Sequence, residues 1–454
     1  MFKKVLVANR GEIAVRVIRS LKEMNIKTVA IYSTADQESL HVQLADEAVC
    51  IGDSKPQHSY LNMKAILAAA IGTGAEAIHP GFGFLSENSQ FAKLCEQCGI
   101  VFIGPRPETI ELMGNKANAR MRMQESNVPV IPGSKGFISD VKQALKVANN
   151  VGYPVMLKAA AGGGGKGIRL VNDDQEMKQA FKQAQREAQL SFDDDRMYLE
   201  KVMSNVKHLE VQIFRDKMGH TVYFPERDCS IQRNKQKVIE ETPCSILNDD
   251  ERKQLGTIAI QAAKSLDYLN TGTIEFLMDE EHHFYFMEMN TRIQVEHTIS
   301  EMVTGQDIVK AQVQVANGGK VPFTQRKLKA HGVAIECRIN AEDPANNFCP
   351  AAGTVEYLYL PTGNLGVRID TELYPQAKVS PFYDSMVAKV ISWGQTRDEA
   401  IAKMKRILAE LVIKGIKTNV KFHQAFLEDP VFKSGNVTTD YLEKQFLPKW
   451  KEDL

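Results

Sequence analysis

The stretch Thr271–Glu296, TGTIEFLMDEEHHFYFMEMNTRIQVE, concentrates side chains able to hold a divalent cation and to steady an anion. Glu275, Glu288 and Asn290 bring hard oxygen donors, and Arg292, Gln294 and Glu296 follow directly. Thr273–Met278 and His283–Asn290 are rich in β-branched and aromatic residues and flank the polar Asp279–His282, a pattern that predicts a hairpin. Pairing Met278 with His283 sets Glu275 opposite Phe286, and side-chain alternation then puts Glu275, Glu288 and Asn290 on one face. Ile274, Phe276, Met278, Tyr285, Met287 and Met289 fall on the other, an apolar set suited to a core. Two carboxylates and an amide on a rigid sheet suit Mg²⁺ or Mn²⁺ shared with substrate phosphates better than Zn²⁺. The alternative is a solvated hairpin face, where Glu and Asn are ordinary.

A second stretch, VMLKAAAGGGGKGIRLV, sets Lys158 before Gly162, Gly163, Gly164 and Gly165, and Lys166 and Gly167 after them. Consecutive glycines let backbone amides approach phosphate oxygens closely. A P-loop needs GK[ST] opening a helix, whereas Lys166-Gly167 leads into the strand-like Ile168–Val171. The loop is therefore expected to join two strands and to cover a nucleotide as a flap; a plain glycine hinge is the alternative. ERDCSIQRNKQKVIEE, 226–241, is crowded with charge, either a solvated face or an anion pocket.

These stretches need a scaffold. From residue 1 to about 110, strand-like Val5–Ala8, Thr28–Tyr32, Ala48–Ile51, Ala77–His79 and Val101–Ile103 alternate with helical Ile13–Met24, Leu61–Ile71 and Asn88–Gln97, which predicts a parallel sheet covered on both faces. Its first turn, ANRGEIA, lacks the GxGxxG fingerprint, which removes most support for a dehydrogenase. Helices are expected at Pro107–Ser126, Val141–Val151, Asp249–Leu266, Gly305–Ala316 and Arg397–Ile413, and strands at Tyr198–Val202 and His208–Ile213. After about residue 330, GVAIECRIN and GTVEYLYL predict a smaller α+β region.

The 454 residues fit two to four domains at about 100–200 residues each. Lys plus Arg equals Asp plus Glu at 56 each, so neither nucleic acid nor a polybasic membrane contact is expected as the main partner. No apolar run approaches the ~20 residues of a membrane span. The N-terminus enters a strand-like VLVA with no signal peptide, so a cytoplasmic location is expected. Seven scattered cysteines fit reduced thiols, and the lone Cys95/Cys98 CxxC reads as coincidence on a helix.

Taken together and in order, ANRGEIAVRVIR, HPGFGFLSEN, KAAAGGGGKG, ERDCSIQRNKQK, EMNTRIQVEH, ECRINAEDP and YDSMVAK resemble the biotin carboxylase component of biotin-dependent carboxylases, in the ATP-grasp superfamily, from about Phe2 to Phe446. The resemblance implies α/β and α+β architecture: a doubly wound pre-ATP-grasp domain over 1–114, an ATP-grasp core over 115–330 with a mobile glycine-rich lid at about 131–203, and a C-terminal α+β domain over 331–446. It assigns Lys116, Lys158, Gly162 to Gly167, Glu200, Lys201, Met203, His208, Gln232 and Lys235 to the nucleotide, beside Glu275 and Glu288. It assigns Glu275, Glu288 and Asn290 to Mg²⁺ (or Mn²⁺). Lys237, Arg292, Gln294, Val295 and Glu296 fall to bicarbonate, and Arg338 to bicarbonate and biotin; Glu296, Arg292, Arg338 and Lys237 are its catalytic set. Departures from the family's usual pattern are Lys235 for His, Phe82 for Tyr, Lys166 for Arg, and FCPAAG for a proline-serine version.

The implied activity is carboxylation of biotin from ATP and bicarbonate through carboxyphosphate. Lys237 and Arg292 would offset the repulsion between two anions, Glu296 would take a proton, and Arg338 would steady the biotin enolate. No Met-Lys-Met biotinylation turn occurs, so biotin is expected on a separate carrier protein. The expected partners are that carrier, carboxyltransferase subunits and a second copy of the chain, with Arg19 and Glu23 as candidate contacts. Acetyl-CoA carboxylase, hence malonyl-CoA for fatty acid synthesis, is the default assignment. A pyruvate or propionyl-CoA carboxylase is the alternative, and another ATP-grasp ligase or an inactive nucleotide-binding regulator are further ones.

Overall fold

The computed structural model describes residues 1–159 and 167–452. It divides into two compact units, the first made of 1–110, 207–273 and 290 onward, the second of 111–206 and 274–289.

In the first unit, Lys4–Val7 lies at the centre of a five-stranded parallel sheet, with Lys27–Ser33 then Glu47–Gly52 on one side and Ala77–His79 then Val101–Phe102 on the other. This is the doubly wound arrangement that the alternating pattern predicts. Both faces are covered, so the central strand is apolar and buried from Val5 to Val7, after Lys4 at its edge. Val5 and Val7 pack with Ile13, Val17 and Leu21 of helix Gly11–Glu23. Leu6 packs on the other side with Ile66 and Phe91, from helices Met63–Thr73 and Ser89–Gln97. Asn9 Nδ2 donates to the carbonyls of Pro80 and Phe82 at 2.7 Å each, pinning the HPGFGFLSEN turn, which needs positive φ at Gly81 (62°) and Gly83 (70°).

A second, antiparallel sheet in this unit runs Lys207–Arg215, Arg227–Arg233, Gln236–Thr242, Val333–Asn340, Met386–Gly394 and Val367–Thr371 as successive neighbours. The strands after residue 330 thus extend a sheet that begins at Lys207. Helix Arg397–Glu410 covers it through Ala400, Met404 and Ile407 against Ile335, Ile339 and Val390. That helix stops short of the expected Ile413, because β-branched Val412 and Ile413 enter a strand paired with Tyr357–Tyr359. GTVEYLYL likewise makes two short strands with different partners.

In the second unit, Val155–Ala159 is the middle of three antiparallel strands, between Ile168–Val171 and Met197–Lys201. Leu157, Leu199, Ala148, Met177 and Phe181 form the core beneath, tying the sheet to helices Val141–Val151 and Asp174–Phe192. The glycine loop therefore joins two strands, as expected. Gly167 closes it at φ 69°, where an added Cβ would meet Ala159 Cβ at 2.7 Å. Gly162, Gly163, Gly164, Gly165 and Lys166 lie outside the described residues. The expected helix Pro107–Ser126 is two, Pro107–Gly114 and Lys116–Glu125, since Asn115 caps the second by accepting from Asn118 N.

The hairpin exists as strands Asn270–Met278 and Phe284–Asn290, the first beginning three residues earlier and the second one residue later than expected. Asp279 N donates to the His283 carbonyl at 3.2 Å, leaving Glu280–His282 as the turn with His282 at φ 62°. The Asp279 carboxylate accepts from Glu281 N and His283 N, which stabilises this three-residue turn over the Met278–His283 closure. The expected apolar face holds only in part. Ile274, Phe276, Met278 and Met289 are buried, while Tyr285 and Met287 are half-buried and Phe284 and Phe286 are buried instead. Phe286 N donates to the Pro129 carbonyl at 2.7 Å and Phe286 bridges Val130, so this strand is covered at its outer edge. Among the described residues no helix is long and apolar enough to cross a membrane.

Candidate functional site

In the second unit, Lys116 begins helix Lys116–Glu125 and reaches a carboxylate of the hairpin, with Nζ 2.6 Å from Glu288 Oε2. Burial disfavours the charged amine, but Glu288 first, then Glu275 and Glu200, outweigh it and raise the pKa of Lys116. Glu275 and Glu288 therefore act on the same cation, and their oxygens are the hard donors that a Mg²⁺ or Mn²⁺ ion takes. The residues present fit such an ion.

Glu200, on strand Met197–Lys201, is gripped from two sides: Lys158 Nζ lies 2.5 Å from Oε2, and Arg120 Nη1 lies 3.3 Å from Oε1. Sequence reasoning missed Arg120. It stands four residues after Lys116 on the same helix, and i, i+4 positions share a face. Lys201 behaves differently, its amine donating to the carbonyls of Gly152 and Tyr153 at 2.8 Å each. Met203 follows the strand, half-buried.

In the first unit a charge network lies on the antiparallel sheet. Lys237 Nζ is 2.8 Å from Glu296 Oε1 and 2.5 Å from Glu210 Oε2, and Arg338 Nη2 is 2.9 Å from Glu296 Oε2. Glu296 occupies the N-cap position of helix His297–Thr304, where the helix dipole also favours an anion. Burial opposes ionisation of Glu296, yet Lys237, Arg338 and Arg227 prevail and hold its carboxyl well below the usual range. Arg338 Nε donates also to Glu240 Oε1 at 2.6 Å.

Arg227, fully buried, fixes the rest of the network. Its guanidinium donates to Glu210 at 2.5 Å, Gln212 at 2.6 Å, Ser300 at 2.9 Å and Gln294 Oε1 at 2.7 Å. Lys389 Nζ donates to the Val295 carbonyl at 2.9 Å. Arg292 sits at the rim, with Nε 2.9 Å from Glu87 and Nη2 2.6 Å from Asn290 Oδ1. The HPGFGFLSEN turn thus delivers Glu87 to Arg292. Glu210, Arg227, Glu240 and Glu87 escaped the sequence reading, although Glu210 and Gln212 alternate with apolar residues in HLEVQIF, which places them on one face of a strand.

His208 and Gln232 meet on neighbouring strands, Gln232 Nε2 lying 2.7 Å from His208 Nδ1. The charge-crowded 226–241 segment is the hairpin Arg227–Arg233 and Gln236–Thr242, and apart from its tip most of it is buried. Lys235 is exposed in that tip beside Asn234, at φ 62° and 50°, as a two-residue hairpin turn requires.

Models of three domain families match the chain: biotin carboxylase, N-terminal domain, over 1–110; carbamoyl-phosphate synthase L chain, ATP binding domain, over 115–324; and biotin carboxylase C-terminal domain over 336–444. Biotin carboxylase 1 of Bacillus subtilis is 51% identical over 98% of this chain and 98% of its own length. The chain belongs to the biotin carboxylase family. It is thereby an ATP-grasp enzyme, a carbon–nitrogen ligase with the family's N-terminal, ATP-grasp and C-terminal parts. A Campylobacter jejuni structure described as a biotin carboxylase–βγ-ATP complex superposes with a TM-score of 0.93 at 46% identity, covering 98% of this chain and 99% of that one. The biotin carboxylase domain dimer of Hydrogenobacter thermophilus 2-oxoglutarate carboxylase, solved with MgADP, ADP and bicarbonate, gives 0.91 at 46% identity and 98% coverage of both chains.

Proposed function

We propose that this chain carboxylates biotin presented on a separate carrier protein, using ATP and bicarbonate. The observation that carries the reading is the Lys237–Glu296–Arg338 constellation, a carboxylate buried between two cations that an incoming anion can share. A bicarbonate ion drawn to Lys237, Arg292 and Arg338 competes with Glu296 for its cations. As they turn to the substrate, Glu296 regains basicity and takes the bicarbonate proton. The freed oxygen attacks the γ-phosphorus of ATP, giving carboxyphosphate and ADP.

Glu275 and Glu288 would hold Mg²⁺ or Mn²⁺, which neutralises charge on the β- and γ-phosphates when bound. Lys116, Lys158, Lys201, Met203, Glu200, His208, Gln232 and Lys235 belong to the nucleotide in this reading. Loss of CO₂ from carboxyphosphate leaves phosphate, which removes the ureido N–H proton of biotin. Arg338 then steadies the enolate oxygen while nitrogen attacks CO₂.

The acceptor assigned is acetyl-CoA, through carrier and carboxyltransferase partners, with pyruvate and propionyl-CoA carboxylases as the second reading. The biotin carboxylase subunit of a pyruvate carboxylase, 48% identical over 99% of both chains, supports that second reading, beside the 2-oxoglutarate carboxylase relative. A homodimer and a reducing cytoplasm complete the proposal; the first is supported by that relative's dimer and the second by seven unpaired cysteines. The experiment is ATP hydrolysis by the purified chain with and without bicarbonate and free biotin. Phosphate release that needs bicarbonate and rises with biotin is expected; release indifferent to both overturns the reading.

A further inference from the structure

Strands Gln236–Thr242 and Val333–Asn340 pair in a register that sets Glu240 directly opposite Glu336, both with no solvent exposure. Directly opposed residues of antiparallel strands share a face with Cβ atoms about 4.5–5.5 Å apart, and like charges there repel. Each carboxyl spends one oxygen on a donor: Glu240 Oε1 accepts from Arg338, and Glu336 Oε2 accepts from Thr298 Oγ1. The other two, Glu240 Oε2 and Glu336 Oε1, are buried with no hydrogen-bond partner among the described residues. An acceptor left over in each of two facing carboxyls is what a single bridging proton satisfies, one group being donor and the other acceptor.

The surroundings call for that proton. On this face the cations Arg227, Lys237, Arg338 and Lys389 meet the carboxylates Glu12, Glu210, Glu240, Glu296 and Glu336, one anion in excess. Helix His297–Thr304, packed on both strands, adds Glu301, which together with Asp370 opposite Lys389 balances Arg16 and Arg368, and His297, which burial keeps neutral by lowering its pKa to about 3. Cys229 and Cys337 stay thiols because burial raises both. An unbalanced buried charge is costly and is removed by protonation.

We propose that Glu240 and Glu336 share one proton and act as a positioning pair: ionised Glu240 aims Arg338 at the substrate, and neutral Glu336 keeps the anion site from carrying one negative charge too many. Burial pushes Glu240 up to about 7 and Glu336 well above the carboxylate range, in the same direction. Releasing the proton at alkaline pH places a second anion behind Arg338 and weakens its hold on bicarbonate. This rests on the reading of Arg338 and Glu296 as substrate groups.

The test is KM for bicarbonate and kcat, measured from neutral to alkaline pH, for the full chain and for Glu336→Gln, Glu336→Leu and Glu12→Gln, with infrared difference spectra of each. The wild type should show the C=O stretch of a neutral carboxylic acid at neutral pH, and KM should rise about tenfold as it disappears, kcat moving less. Glu336→Gln, whose amide donates to Glu240 as the acid did, should lose both the band and the alkaline rise while binding bicarbonate at neutral pH. Glu336→Leu, which leaves Glu240 unpartnered, should raise KM at every pH. A band and an alkaline rise that survive Glu336→Gln, or that vanish in Glu12→Gln instead, overturn the pair. If Arg338→Gln and Glu296→Gln leave KM for bicarbonate unchanged, the substrate reading fails, while the spectra still decide where the proton resides.

Discussion

Lys237 and Glu296 are held 2.8 Å apart at 12% and 2% side-chain exposure, so neither is free to act until something displaces the other. The carboxyl of Glu296, acidified by its cations, is a poor base in the resting chain, and an anion that draws Lys237 away makes it a better one. Lys237→Met should therefore lower bicarbonate-dependent ATP hydrolysis by about two orders of magnitude, comparable to removing one preorganised donor from a charge-developing site. Steady-state kinetics check this, and a loss below threefold would mean that the ion pair is structural.

Glu288 is about one-third exposed and lies on a hairpin strand, so Glu288→Gln should fold normally. It removes one anionic oxygen from Lys116 and from any bound cation. Turnover should fall about a hundredfold and the Mg²⁺ concentration for half-maximal activity should rise, measured by titrating Mg²⁺ against ATPase rate. An unchanged Mg²⁺ dependence contradicts the metal assignment.

Arg338 joins Glu296 to Glu240, and the enolate it would steady forms only after carboxyphosphate. Arg338→Gln should depress biotin carboxylation more than bicarbonate-dependent ATPase, by tenfold or more in the ratio, on the order of one charge-assisted hydrogen bond. Equal loss of both, followed by carboxybiotin and phosphate assays, would place Arg338 chiefly on bicarbonate.

Glu301 binds Arg16 at 2.9 Å and Arg368 at 2.7 Å, tying helix Gly11–Glu23 to strand Val367–Thr371. Burial alone would raise its pKa, but the two guanidinium groups prevail and depress it to about 2. A depressed carboxyl stabilises the fold above its unfolded pKa of about 4.3, and that stability is lost as pH falls from there towards 2. Glu301→Gln should cost about 3 kcal/mol at neutral pH and flatten this part of the acid-unfolding curve, as seen by urea melts at several pH values. An acid limb identical to wild type contradicts it.

What the sequence by itself determined is everything that local pattern encodes. Alternating apolar strands and helices dictated a doubly wound sheet, because a strand covered on both faces must be apolar at every position, as Val5, Leu6 and Val7 are. The hairpin at Thr271–Glu296, the strand-to-strand glycine loop and the carboxylates Glu275 and Glu288 were legible for the same reason: type and spacing within one segment suffice. Only the tertiary structure decided the rest. The hairpin closes at Asp279 rather than at Met278 because the Asp279 carboxylate captures the turn amides, an energy no periodicity records. The network of Arg227, Glu210, Glu240 and Lys237 stayed hidden because its members come from different strands, and charge in a sequence reads as solvent exposure until the sheet turns it inward. Pairing Glu240 with Glu336 is a matter of register between strands nearly a hundred residues apart, and register is set by the packing of whole faces rather than by either strand alone.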